Sequence, residues 1–184
     1  MKARIALAAI LAVLPATAMA QTVQGTVAVD GTVAGRCVLG PPSLTSVPLG
    51  TLINTSGARA GRLTTIGSQT INFPGSWCNF ANTRITVSAN ALLAADPTAP
   101  AAGFARSVNF TSTVTTWAAA NATVTTAASA SGATPSASAP GGTQPAPKLT
   151  DLTLTLNNFA VPADALLVTG NYAGNVTVTL GPAS

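Results

Sequence analysis

Apolar and polar residues alternate along much of this chain. Successive side chains of a β-strand point to opposite faces, so a period of two predicts a strand with one apolar and one polar face. Alternation at 84–89, 152–156 and 175–180 predicts three such strands, and further candidates lie at 44–52, 62–73, 108–117 and 165–169. The longest alternating stretch, 22–34, also predicts a half-buried strand. Its odd-numbered positions are all valine or glycine: Val23, Gly25, Val27, Val29, Gly31 and Val33.

Short strands rich in Thr and Val, separated by Gly, Pro and Asn, indicate an all-β fold, an antiparallel sandwich or barrel. The stretch 118–147 differs, because it consists almost entirely of Ala, Ser, Thr, Gly and Pro. Such a segment buries too little apolar area to offset its ordering entropy, so we predict a long mobile loop there. Within it, 123–125 is a candidate short edge strand.

The first twenty residues have the features of a secretory signal peptide. Lys2 and Arg4 precede an apolar run at 5–14, and Ala18 and Ala20 supply small residues before the predicted cleavage site. The apolar run is shorter than the roughly 20 residues that span a bilayer. We therefore predict export to the periplasm, followed by secretion or display on the cell surface. The rest of the chain is of a length expected for one domain.

Composition argues against several classes of function. The chain has no His and only four acidic residues, all of them Asp. General acid–base catalysis needs a titratable group near its working pH, and a hydroxyl nucleophile needs a neighbouring base. Two Cys without His supply half of a tetrahedral metal site at most. A formal charge of +4, scattered along the chain, makes no basic patch for nucleic acid. We predict no enzyme activity, no metal, no cofactor and no nucleic-acid partner.

Two cysteines, Cys37 and Cys78, are the whole cysteine content. In an exported chain an even number favours a disulfide, although a free reactive thiol pair is an alternative. Trp77 is expected to pack in the core near that bond. Trp117 is either another core residue or a partly exposed contact for a partner or glycan.

Four segments follow one another in an order that resembles the subunits of chaperone–usher pili. They are GTVAVDGTVAGRC at 25–37, SVPLGTL at 46–52, INFPGSWC at 71–78 and GNYAGNVTVTL at 170–180. The resemblance implies an immunoglobulin-like, pilin-type sandwich that lacks its last strand. A periplasmic chaperone supplies that strand first, and the extension of a neighbouring subunit later replaces it.

The resemblance also assigns roles to residues. It implies a donor-strand extension at 21–36 and a pilin-like sandwich at 37–184. The donor face is Val23, Gly25, Val27, Val29, Gly31 and Val33, although Val29 and Val33 may instead belong to the first strand of the chain's own sandwich. On the receiving side the resemblance implies that Val176, Val178 and Leu180 of the closing strand edge the groove, and that Tyr172 anchors the turn before it.

The leading functional hypothesis is a subunit of a surface fimbria, assembled by donor-strand exchange through an outer-membrane usher. The alternative is a self-contained secreted or coat-type sandwich that binds a partner without polymerising, with 23–33 as its own first strand. The ending LGPAS lacks the aromatic residue next to last that many pilus subunits have, and the terminal segment also resembles the spore-coat-U-like proteins. A tip adhesin is disfavoured, because Cys37 follows the predicted cleavage site too closely for an additional lectin domain.

Overall fold

The computed structural model describes residues 21–183, and the predicted signal peptide lies outside the described residues. The chain divides into two units, with the boundary between Val33 and Ala34. The described part of the first unit, 21–33, has no regular secondary structure, and every residue in it is exposed. All the strands within residues 21–183 lie in the second unit.

The second unit has ten strands and one short 3-10 helix, Pro162–Asp164. No helix within residues 21–183 has the length and apolar character needed to cross a membrane. The strands are β1 Cys37–Val38, β2 Gln69–Cys78, β3 Thr83–Ala94, β4 Phe104–Ala105, β5 Ser107–Thr115, β6 Ala122–Thr125, β7 Ala137–Pro140, β8 Lys148–Ala160, β9 Leu166–Leu167 and β10 Tyr172–Pro182.

The main sheet is antiparallel and nearly closed. Its strands follow the order β1-β2-β8-β5-β3-β10, while β6 pairs with β5 and β7 pairs with β3. Two short strands, β4 and β9, pair in parallel as a separate sheet. The predicted all-β class is therefore confirmed.

Alternate residues of the long strands build the core. In β3 the buried positions Ile85, Val87 and Ala89 alternate with partly exposed Arg84, Thr86 and Ser88, as the period of two requires. β2, β5, β6 and β8 contribute buried residues to the same cluster. β10 is less covered, since its apolar residues Val176, Val178 and Leu180 are only partly buried while they pack against this core.

Four predicted strands differ from the structure. The stretch 44–52 forms no strand, in keeping with Pro48, which cannot donate a ladder hydrogen bond, and with Gly50, whose φ is +70°. The strand predicted at 62–73 begins only at Gln69, and the one at 165–169 shrinks to the two residues of β9. At 22–34 the predicted half-buried strand is absent, because 21–33 is exposed and pairs with no strand of the described chain.

The stretch 118–147 is not the long loop that its composition predicts. It contains β6, which pairs with β5 and includes the candidate strand 123–125, and also β7. Ala122, Val124 and Ala128 are buried, and exposed residues alternate with them. Alanine loses almost no side-chain entropy on burial, and the two ladders satisfy the backbone. Long-range pairing thus orders a segment whose own apolar content is small.

Candidate functional site

The main sheet stays open at β10. Along one edge β10 pairs with β3 over its whole length, from Tyr172 opposite Ala94 to Pro182 opposite Thr83. Along its other edge, no strand within residues 21–183 pairs with it. An unpaired edge presents backbone N–H and C=O groups to which another strand can bind.

A groove of about 1000 Å³ runs beside this open edge. One wall is β10 from Tyr172 to Val178, and the other wall is the irregular segment 44–53. The floor comes from the inward faces of β2, β5 and β8 and from β3. It consists of Ile71, Phe73, Leu92, Phe110, Leu154, Leu156 and Phe159.

The residues that form the floor of the groove also belong to one side of the main core. Phe110 and Phe159 stack with their ring centroids 5.7 Å apart and their planes inclined by 28°. Phe110 is buried and Phe159 partly exposed, so the stack continues from the core into the groove. No charged residue lines the groove within the described chain. It therefore suits an apolar strand whose backbone needs hydrogen bonds and whose side chains need burial.

The wall at 44–53 is attached near both of its ends. At the first end, the Ser43 backbone N–H donates to the carbonyl of Asn72 at 2.7 Å, and the Asn72 N–H donates to Ser43 Oγ at 3.0 Å. At the other end, the Thr64 N–H donates to the carbonyl of Leu52 at 2.8 Å. Leu44 remains 51% exposed, which leaves apolar surface along the wall.

One end of the groove is built around Tyr172. Its hydroxyl donates to the carbonyl of Val168 at 2.9 Å, and its ring packs with Leu52 and Leu63 against a second, smaller core. Burial raises the pKa of the Tyr172 hydroxyl above its ordinary value, and the charge of Arg106 offsets part of the shift. Tyr172 thus anchors the turn into β10 with a neutral hydroxyl.

A surface ion cluster lies in the loops whose apolar residues form this second core. Arg59 donates to the Asp164 carboxylate at 2.9 Å, and the Arg62 guanidinium donates both to that carboxylate and to the Asp164 carbonyl. The hydrogen bond from Arg59 holds the pKa of the Asp164 carboxyl below its ordinary value. Because all three side chains are solvated, the cluster orients the loops more than it stabilises the fold.

At its other end the lining of the groove stops at Val178 of β10. Leu180 packs against the main core there, together with Leu39. Of the three residues predicted to edge the acceptor groove, Val176 and Val178 line this groove, while Leu180, the next inward position along β10, lies outside its lining.

The start of the second unit is attached to the end of β2. Cys37 and Cys78 form the predicted disulfide and lie opposite each other in the β1–β2 ladder. One residue further along, the Asn79 side chain accepts a hydrogen bond from the Arg36 backbone N–H at 2.7 Å. The same side chain donates to the Ala34 carbonyl at 2.9 Å. The backbone is thus held to its own domain from Ala34 onward.

The residues predicted to form the donor face are not buried by the chain itself. Val23, Val27, Val29 and Val33 are between 85% and 93% exposed. A Cβ added to Gly25 or Gly31 would have no atom within 4 Å. Four exposed valines at alternating positions give the segment an apolar face with nothing packed on it.

Some site residues escaped the sequence-based prediction. The wall at 44–53 was expected to be a strand, although Pro48 and Gly50 already argued against one. Phe110 and Phe159 become floor residues only through the pairing of β5 with β8. Trp117 is 3% exposed, with Lys148 Nζ 5.9 Å from its ring centroid, so an exposed contact at Trp117 is excluded.

Comparisons with protein-family models, with curated proteins and with solved structures give no match to this chain.

Proposed function

We propose that this protein is a structural subunit of a surface fimbria that polymerises by strand donation. The segment 21–33 of one copy adds to the open edge of β10 in another copy. The observation that carries the proposal is the apolar groove beside an unpaired strand, in a chain that also has an exposed segment of alternating valines. The groove lacks a strand beside β10, and the exposed segment lacks a surface that buries its valines.

Strand addition explains the chemistry of both partners. The donated backbone bonds to the free N–H and C=O groups of β10, while alternate side chains enter the groove. Burying one valine is worth about 1.5–3 kcal/mol, so several valines on one strand stabilise the joint strongly even after the entropy of ordering the segment is subtracted. The polar even-numbered positions, such as Thr22 and Thr26, then face solvent.

The proposal includes the finer fold and the partners. The second unit is an incomplete immunoglobulin-like sandwich of the pilin type, and the donated strand completes it. An open apolar groove is prone to aggregation, so a periplasmic chaperone occupies it first, and an outer-membrane usher directs the exchange for the next subunit. In this proposal the protein is exported, acts on the cell surface and has no catalytic role.

The test compares two variants of the full chain, made in a bacterial host that exports and oxidises it. Deleting 21–29 removes most of the apolar face, whereas the triple variant Thr22→Ala, Thr26→Ala, Thr32→Ala changes only the opposite face. Light scattering after size-exclusion chromatography should find polymers for the triple variant and none for the deletion. Added to wild-type chain, the deletion variant should shorten the polymers, because it accepts a strand and donates none.

The opposite result supports the coat-type alternative. A wild-type chain that purifies as a stably folded monomer without a chaperone, or a deletion variant that polymerises normally, would exclude strand donation by 21–33. The fold of both variants is checked by circular dichroism. Every altered side chain is exposed, so both variants should keep the far-UV spectrum of the folded second unit, while the deletion variant should melt at a lower temperature because no donated strand stabilises it.

A further inference from the structure

The alternating segment is longer than the groove. The groove borders β10 from Tyr172 to Val178, which is seven residues or about 23 Å of strand. No residue of β10 beyond Val178 lines the groove. The valine and glycine positions run from Val23 to Val33, about 36 Å when fully extended. A strand in the groove therefore buries only part of this face.

The segment has a mirror-symmetric face. The odd-numbered positions read V-G-V-V-G-V, which is the same in both directions about Ala28. The two seven-residue frames, 23–29 and 27–33, thus offer the same three valines and one glycine in opposite order. The composition of the apolar face does not determine which frame enters the groove. The position of the segment relative to Ala34, where the second unit begins, must determine it instead.

The connection at Ala34 favours the first frame. The Ala34 carbonyl and the Arg36 N–H are both bound to Asn79 on the chain's own domain. If 27–33 were inserted into a neighbour, Val33 would lie in the neighbour's groove only one peptide unit, about 3.8 Å, from a residue held on its own domain. The two domains would have to meet with no spacer. Insertion of 23–29 leaves four residues, 30–33, to span about 13 Å.

We propose that the strand donated to a second copy of this chain is 23–29, and that 30–33 is an interdomain spacer outside the groove. The inference rests on the proposed function and specifies which residues of the segment enter the groove. Val23, Val27 and Val29 enter the groove, and Gly25 occupies the inward position that leaves no side chain. Asp30, the only charged residue of the segment, stays in solvent, where a carboxylate loses no hydration. Gly31 gives the spacer conformational freedom.

Three aspartate substitutions in the full chain test the register. Val27→Asp removes a residue common to both frames, Val23→Asp one that only 23–29 uses, and Val33→Asp one that only 27–33 uses. An unpaired carboxylate is strongly disfavoured in an apolar groove. Val23→Asp and Val27→Asp should raise the concentration of half-maximal polymerisation about 100-fold or more. Val33→Asp should change it less than about 3-fold. Sedimentation over a concentration series measures it.

The outcomes separate the register from the proposed function. Polymerisation that survives Val23→Asp but not Val33→Asp would assign 27–33 as the inserted frame. Loss of polymerisation with both variants would mean that the groove accepts the whole segment. Polymerisation that survives both variants would restrict the contact to the centre of the segment. Each of these results overturns the register while strand donation stands. Wild-type assembly of Val27→Asp would instead refute strand donation. Unchanged far-UV circular dichroism spectra show that the three variants remain folded.

Discussion

Breaking the disulfide should remove about 4 kcal/mol from the free energy of unfolding. Cys37 and Cys78 are separated by 41 residues. In the chain-entropy model a loop of that size restricts the unfolded state by about 13 cal/mol/K, or about 4 kcal/mol at 25 °C. A domain is typically stable by about 5–15 kcal/mol in total, so this one bond is a large share of the stability. It also attaches β1, which follows the end of the donor-strand extension, to β2.

Urea unfolding of three samples measures the effect: oxidised wild type, reduced wild type, and the double variant Cys37→Ala, Cys78→Ala. The reduced protein keeps both sulfurs and lacks only the bond. The double variant also leaves a small void at Cys78, which is 2% exposed, and should lose about 1 kcal/mol more. Reduction should also steepen the decrease of the free energy of unfolding with urea concentration, because the unfolded chain becomes more expanded. A difference below about 1 kcal/mol between the oxidised and reduced samples would refute the entropic reasoning.

Two further predictions concern Tyr172 at the end of the groove and the close approach of Gly40 to β2. Tyr172 is the only tyrosine in the chain, so tyrosinate absorbance reports the titration of its hydroxyl alone. The pKa of that hydroxyl should exceed about 10 in the folded chain and fall to about 10 in urea. The free energy of unfolding should therefore decline as the pH rises above about 10. An unshifted folded titration would contradict its burial. A Cβ at Gly40 would lie 1.8 Å from the Pro74 carbonyl oxygen, so Gly40→Ala should lower the melting temperature by several degrees. Gly67→Ala, in open space on the same unit, should not, and equal melting curves would refute the close approach.

The local pattern of the sequence was sufficient for three of the long strands. In β3, β8 and β10 the apolar residues recur every second position, and that period alone determines which side chains face the core. The disulfide also followed from composition, because two cysteines in a chain with a predicted secretory leader favour a disulfide. These properties depend on residues close together in the sequence or on simple counts.

The tertiary structure decided what those patterns could not. Small residues at 118–147 become β6 and β7 only because β5 and β3 offer partners, and Trp117 is buried because the sheet folds over it. The open edge of β10 and the wall at 44–53 likewise arise from the order of strands in the sheet. Alternation specifies the two faces of a strand. The backbone N–H and C=O groups along the strand's edges, however, bond to residues far away in the chain. Long-range pairing therefore determines which edge stays open, and so where a partner can bind.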